Sequence, residues 1–258
     1  MYIIEDSSPF ISGMGYRKIC DFVYDEFDKF DVFSISQFDG MKIFVKTDLL
    51  FSFNLNVLPN INKNFVLYTH NSDLSIDSKY GDIISNKFIT KWFGQNIDYS
   101  HSKLESIPIG IANKRWEHGN VDTLEKVISE NNEKTNLIYC NFDINTNISE
   151  RRECLSNINI KNSEKVDFES YLRELSKSFF TISPNGNGID CHKTWESLYL
   201  KTIPIVTRSI NMKYYENKYP FIVIDSWAHF NKLKLTEDLY YKIINNTNYE
   251  NINNGFSN

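Results

Sequence analysis

Along the first half of the chain, short apolar runs are separated by turn-rich polar connectors. Asp31-Val-Phe-Ser-Ile-Ser36 and Lys42-Ile-Phe-Val-Lys46 carry the β-branched and aromatic content of strands. From Asp48 to Val57 apolar residues recur at helical spacing, and the pattern stops before Pro59. Phe65-Val-Leu-Tyr-Thr69 has the continuous apolar run of a buried strand and leads straight into His70-Asn-Ser-Asp73. Two more strands are predicted at Phe88 to Phe93 and at Leu104 to Ile109. The pattern then breaks: Asn113-Lys-Arg-Trp-Glu-His-Gly-Asn120 is polar and has no clear period. Beyond it, helices are predicted at Thr123 to Glu130, Glu150 to Ile158, Phe168 to Lys177, Cys191 to Lys201 and Thr236 to Ile244. The strands expected among them run from Asn136 to Asn141, Ser178 to Ser183, Ile203 to Val206 and Phe221 to Asp225.

Strands separated by helical stretches favour parallel α/β units over an all-β sandwich. The expectation is an α/β chain of two Rossmann-like domains, residues 1–113 and 114–258, facing across a cleft. A single sheet with long insertions is the alternative.

Charge narrows the function. With 28 Lys and Arg against 33 Asp and Glu the net charge is −5. General binding to nucleic acid is therefore not expected, because it rests on neutralising phosphates with basic side chains. Hydrophobic residues at 41% and aromatics at 15% supply a packed core, which excludes wholesale disorder. Cys20, Cys140, Cys154 and Cys191 form no CxxC pair and suit reduced thiols better than a disulfide scaffold. Met1-Tyr-Ile-Ile-Glu-Asp6 lacks the basic and apolar regions of a signal peptide, and no run of about 18 apolar residues predicts a membrane span. The expectation is a cytoplasmic protein, with oligomeric state left open.

The chemistry concentrates in Ser183-Pro-Asn-Gly-Asn-Gly-Ile-Asp-Cys-His-Lys-Thr-Trp-Glu196. Here a strand feeds a loop in which Gly186 and Gly188 alternate with Asn185 and Asn187, and a helix follows. Glycine lets a ligand approach the backbone, and the free N–H groups and dipole of a helix start suit a diphosphate. Asp190 stands where an N-cap is expected, and Lys193 falls in the first turn. His192 and Glu196 are four apart and share a face, so Glu196 is placed to accept from ribose hydroxyls. No GxGxxG is present, which separates the segment from the dinucleotide fingerprint. The same residues would equally make an ordinary Asn-Gly turn, a cap and a solvated helix face.

This run, followed by Ile203-Pro-Ile-Val206, resembles the donor-binding segment of exostosin-like glycosyltransferases, above all the small ones of large DNA viruses and microbes. Thr69-His-Asn-Ser-Asp73, Trp92-Phe-Gly-Gln-Asn96 and Ile107-Pro-Ile-Gly-Ile-Ala-Asn113 extend the resemblance, which spans about residues 42 to 227. It implies a GT-B arrangement, with a UDP- or GDP-sugar held by the C-terminal domain and a glycan or other hydroxyl acceptor by the N-terminal one. The chain is short for that fold, so peripheral parts must be trimmed.

For such a transfer Asp73 or His70 would take the acceptor proton, since both follow a buried strand at its carboxyl end. Gln95, Asn96 and Asn113 suit sugar hydroxyls on the acceptor side, although Gln95 and Asn96 would equally cap a turn; Trp116 and His118 suit an acceptor platform, with packing of the linker the favoured alternative. Arg151 or Arg152, near a helix start, and Arg208, just past a strand, would reach a phosphate; Arg152 and Arg208 are the favoured pair. The histidines show no metal-ligand spacing, so no cofactor is expected beyond the nucleotide-sugar donor. Two other classes stay open: a nucleotide- or carbohydrate-binding module without catalysis, and a hydrolase using Asp73 and His70.

Overall fold

The computed structural model describes residues 5–30, 39–248 and 252. The strand expected at Asp31 to Ser36 lies outside them. The described chain builds two parallel sheets. In the first, β1 (Phe22–Tyr24), β2 (Met41–Lys46), β3 (Phe65–His70), β4 (Ile89–Gly94) and β5 (Leu104–Ser106) lie side by side in chain order. In the second, the order is β6 (Asn136–Tyr139), β7 (Ser178–Ile182), β8 (Ile203–Thr207) and β9 (Ile222–Ile224). Each neighbouring pair is parallel, as strands joined by helical crossovers require.

The helices in chain order are α1 (Gly13–Lys18), α2 (Leu50–Asn56), α3 (Gly81–Ile84), α4 (Val121–Ser129), α5 (Ile148–Asn157), α6 (Phe168–Ser176), α7 (His192–Tyr199), α8 (Ile210–Lys213) and α9 (Glu237–Asn245). Side-chain caps set where several of them start: Asn120 accepts from the Thr123 N–H, Asp167 from Ser170 and Thr236 from Leu239. None of the described helices is long and apolar enough to cross a membrane.

The central strands are covered on both faces. Phe65 and Leu67 of β3 join a cluster with Phe53 and Trp92, while Tyr68 faces the other way onto Phe44 and Tyr16. All five residues of β7 are buried. All four cysteines are free thiols.

The element bounds expected from the sequence hold to a few residues, except that α1, β1, α3 and α8 are additional to the expected elements and β5 ends early. Helix α1 and strand β1 are not visible in the apolar pattern, because Gly13 and Gly15 give α1 poor intrinsic propensity. Long-range contacts hold α1 instead, among them Met14 N–H to Asn113 Oδ1 at 3.0 Å. Strand β5 stops at Ser106 rather than continuing to Ile109, because Pro108 has no N–H to give the ladder.

From there the chain leaves the first sheet and runs between the two. Ile109 and Ile111 pack in one cluster with Trp195 and Tyr199, and Ile111 donates to Ile11 O at 2.8 Å. Gly110 sits at φ +66°, where a Cβ would fall 2.0 Å from Ile11 O, so only glycine fits this crossing. A second buried joint lies at α8, where Asn211 Oδ1 accepts from the Ile97 N–H at 3.1 Å and from the Ser106 hydroxyl. The Ser106 and Tyr215 hydroxyls are 2.8 Å apart in the same joint.

Candidate active site

The loop from Ser183 to Cys191 leaves the carboxyl end of β7, where ligands gather in open parallel sheets. Buried side chains hold its shape. Arg151 of α5, 8% exposed, donates Nε to Asn185 O at 2.9 Å and Nη1 to Asp143 O at 2.5 Å. Glu150 accepts from the Asn185 N–H at 3.1 Å, and Asn147 donates to Gly186 O at 3.1 Å. Among the described residues, the backbone N–H groups of Asn187, Gly188 and Ile189 donate to no protein acceptor. Successive free N–H groups of this kind form an anion-binding concavity.

Helix α7 starts directly after it. Its N-cap is Cys191, which gives no side-chain cap, so the first-turn N–H groups remain without one. Asp190, expected as the cap, does something else. Its Oδ2 accepts from the Ile109 N–H at 2.9 Å, and its Oδ1 from Cys191 N–H and Trp195 Nε1 at 2.9 and 2.8 Å. It pins α7 to the segment between the sheets. Burial pushes its carboxyl up to about 7 against the pull of those donors.

Lys193 and Glu196 both line a cavity of about 1140 Å³ with Gly186, Asn187 and Gly188. The Lys193 ammonium donates to Asn141 O at 2.6 Å and lies 5.3 Å from the Tyr139 ring centre. Burial lowers it to about 8. Glu196 accepts from the Tyr171 hydroxyl at 2.7 Å through Oε2, and its other oxygen has no hydrogen bond among the described residues. Burial raises it to about 7. Phe142, Phe168 and Tyr171 supply flat apolar surface to the same cavity.

A second cavity of about 340 Å³ opens at the carboxyl ends of β3 and β4, lined by Asn71, Gln95, Asn113, Arg115 and Trp116 among others. The two cavities share three lining residues: Asp73, Ile109 and His192.

Several sequence-based assignments move. His70 lines the second cavity, but both its ring nitrogens are committed. Nδ1 accepts from the Asn71 N–H at 2.7 Å, and Nε2 therefore carries the hydrogen that goes to Pro108 O at 3.0 Å. Burial lowers it to about 4, so the ring is neutral, and with both nitrogens engaged it has no lone pair to offer: it is a strut, not a base. Asp73 is exposed at the meeting point of the cavities.

Asn96 lines neither cavity; its Oδ1 accepts from the Asp190 N–H at 2.9 Å and its Nδ2 donates to Ser72 O at 3.3 Å, so it is a joint. Ser183, hydrogen-bonded to Thr194 at 2.8 Å, and Asn185 shape the loop from behind. Arg208 is outside both cavities, paired in solvent with Asp225 and Glu216. Arg152 lies exposed on the rim of the larger cavity, and Arg151 is the arginine built into the loop.

Gln95 and Asn113 do line the second cavity. Gln95 Oε1 accepts from the Asn71 N–H at 3.1 Å, and the Asn113 amide bridges Met14 N and Asn71 Oδ1. Asn141, Phe142 and Tyr171 were not singled out from the sequence. Only the folding of β6 and α6 against α7 brings them to the cavity. Among the described residues no group of three His, Cys, Asp or Glu side chains gathers as a metal site. No protein-family model and no curated protein matches this chain.

Proposed function

We propose that the chain is a glycosyltransferase of GT-B type, moving a sugar from a nucleoside-diphosphate donor to a hydroxyl acceptor. The observation that carries this reading is the pair of cavities that meet at Asp73, Ile109 and His192. A group-transfer enzyme needs two binding sites with one common point, and each cavity belongs to a different sheet.

In this reading the domains 1–113 and 114–258 take the acceptor and the donor respectively. The free N–H groups of Asn187 to Ile189 and the uncapped start of α7 receive the diphosphate, and Lys193 neutralises it. Glu196, with one oxygen uncommitted, accepts from the ribose hydroxyls, and Phe142, Phe168 or Tyr171 covers the base. A cavity of about 1140 Å³ is ample for a nucleotide sugar, since pockets for ligands of that order run from roughly 300 to 1,000 Å³. The second cavity, with Gln95, Asn113 and exposed Trp116, offers amides and an aromatic face to an acceptor glycan.

Calorimetric titration with UDP, GDP and their common sugar conjugates tests the donor site. Saturable binding of one nucleotide, weakened about tenfold or more in Glu196→Ala, is the expected result. A folded chain that binds none of them refutes the reading. Binding without release of nucleotide from any sugar conjugate would instead leave a binding module.

A further inference from the structure

We propose that His192 is the general base of the transfer, its Nε2 taking the proton of the acceptor hydroxyl as that oxygen attacks the anomeric carbon. This rests on the transferase reading and deepens it by naming the proton acceptor at the junction of the two cavities.

Of the three residues common to both cavities, Ile109 is apolar, which leaves Asp73 and His192. The His192 ring is held in one orientation and one tautomer. Its Nδ1 lies 2.8 Å from Gly110 O, and a carbonyl has no proton to give, so Nδ1 carries the hydrogen and Nε2 keeps its lone pair. Among the described residues Nε2 has no partner. This is the reverse of His70, whose two nitrogens are both spent on the backbone. The Asp73 carboxylate is exposed and makes no hydrogen bond among the described residues, so nothing orients it. Fixed geometry at the reacting atoms is worth a large part of a barrier, and His192 has it.

Position along the chain supports the same choice. His192 is the first residue of α7, directly after the loop with the free N–H groups. In a nucleoside-diphosphate sugar the anomeric carbon is one bridging oxygen from the β-phosphorus, so a diphosphate bound at this loop would bring that carbon near the start of α7. The step balances as a single displacement. The acceptor O–H bond breaks towards Nε2, the new O–C bond forms, and the C–O bond to the diphosphate leaves with its electron pair on the nucleoside diphosphate. Water later takes the proton from the imidazolium, whose Nδ1–H stays on Gly110 O throughout.

The groups around the ring set how strongly it binds a proton. His118 lies 6.2 Å away centre to centre, with Glu117 beside it; Lys193 follows on α7, Asp190 precedes it, Asp73 stands across the junction, and His70 comes from β3. Burial, opposed by the Gly110 carbonyl and helped by His118, lowers the ring to about 4. A bound diphosphate adds negative charge at the start of α7, which stabilises the imidazolium. Donor binding therefore strengthens the base while leaving the ring neutral near pH 7, the form that accepts the proton.

The test is His192→Asn, whose amide nitrogen takes roughly the place of Nδ1 and still reaches Gly110 O, while nothing replaces Nε2. Nucleotide affinity is measured by calorimetry, and release of UDP or GDP from the selected sugar conjugate is measured with water or a glycan panel as acceptor. The expected result is nucleotide affinity within about threefold of wild type and a kcat lower by about 100-fold or more, with the acid limb of the pH profile gone. In the wild type, the ring pKa of His192, followed by NMR, rises by about one unit or more when UDP or GDP binds. A His192→Asn protein that keeps its kcat but loses nucleotide affinity tenfold overturns the assignment and makes His192 a donor ligand. Loss of the acid limb in Asp73→Asn but not in His192→Asn overturns it in favour of the carboxylate. A ring pKa unmoved by the nucleotide also overturns it. A wild-type chain that binds no nucleotide overturns the transferase reading itself, and the assignment with it.

Discussion

Lys193 and Glu196 stand three residues apart on α7, both in the larger cavity proposed to hold the donor, and burial moves them towards each other, to about 8 and about 7. Donor affinity should therefore pass through a maximum between those values. Ribose hydroxyls donate, so they bind the ionised carboxylate of Glu196 and not the acid; affinity rises with pH through about 7. At pH 6 about one Glu196 in ten is ionised, and at pH 7.5 about three in four are ionised while about three in four Lys193 are still charged, so affinity should climb about sixfold, or about 1.1 kcal/mol. Above about 8 the Lys193 ammonium loses its proton and with it the attraction to the diphosphate, and by pH 9 affinity should lie about sixfold below its maximum. The assay is calorimetry from pH 6 to 9 with a sugar nucleotide, because the terminal phosphate of UDP itself titrates near ~6. Glu196→Gln still offers an oxygen to the Tyr171 hydroxyl and should lose the acid limb alone. Lys193→Met should lose the alkaline limb alone. A flat wild-type profile, or an acid limb that survives in Glu196→Gln, would refute the assignment of these two residues to ribose and diphosphate.

Other residues give sharper structural tests. The unfolded chain protonates His70 near 6.5 while the fold resists until about 4, so the fold loses stability as pH falls between those values; His70→Asn lacks this loss, and its destabilisation should shrink by about 2 kcal/mol between pH 7.5 and pH 5 in denaturant titrations. An unchanged gap would mean the ring is not buried neutral. Gly188→Ala puts a Cβ 2.5 Å from Asn96 Nδ2, whose amide joins Ser72 to Asp190, and should cost about 1–3 kcal/mol with a matching drop in Tm; a wild-type Tm would contradict the close approach. Arg208→Ala removes solvent-exposed pairs only and should leave Tm and nucleotide affinity at the wild-type values; a tenfold affinity loss would give Arg208 a part in the proposed donor site.

The local signals that were legible share a cause. Strand and helix periods depend on which neighbours in sequence are apolar, so β3, β7 and α7 are visible without tertiary information. The same holds for the glycine loop between β7 and α7, since Gly186 and Gly188 follow a strand and precede a helix in the linear order. Helix α1 was invisible because its stability comes from contacts such as Met14 to Asn113, 99 residues away, which no local window contains. The apolar pattern of Ile107 and Ile109 predicts too long a β5: Ile107 packs on the first sheet with Phe44 and Tyr68, whereas Ile109 leaves it for the cluster of Trp195 and Tyr199.

The sequence alone determined that this chain alternates strands and helices into parallel α/β units, and that Gly186 to Glu196 is where a glycine loop, a helix start and charged side chains coincide. Tertiary structure decided which of those side chains are free to act. Asp190 reads as a helix cap but is taken by Ile109, and Asn96 reads as a sugar ligand but is taken by Asp190. Arg151 and Arg152 are adjacent in sequence, and helix geometry turns only the first into the loop. His70 and His192 both bind backbone carbonyls of the segment between the sheets, at Pro108 and Gly110, yet a single further N–H from Asn71 commits the first ring fully and leaves the second with a lone pair. A side chain's chemistry follows from its residue type, but its availability depends on partners that only folding brings within about 3 Å.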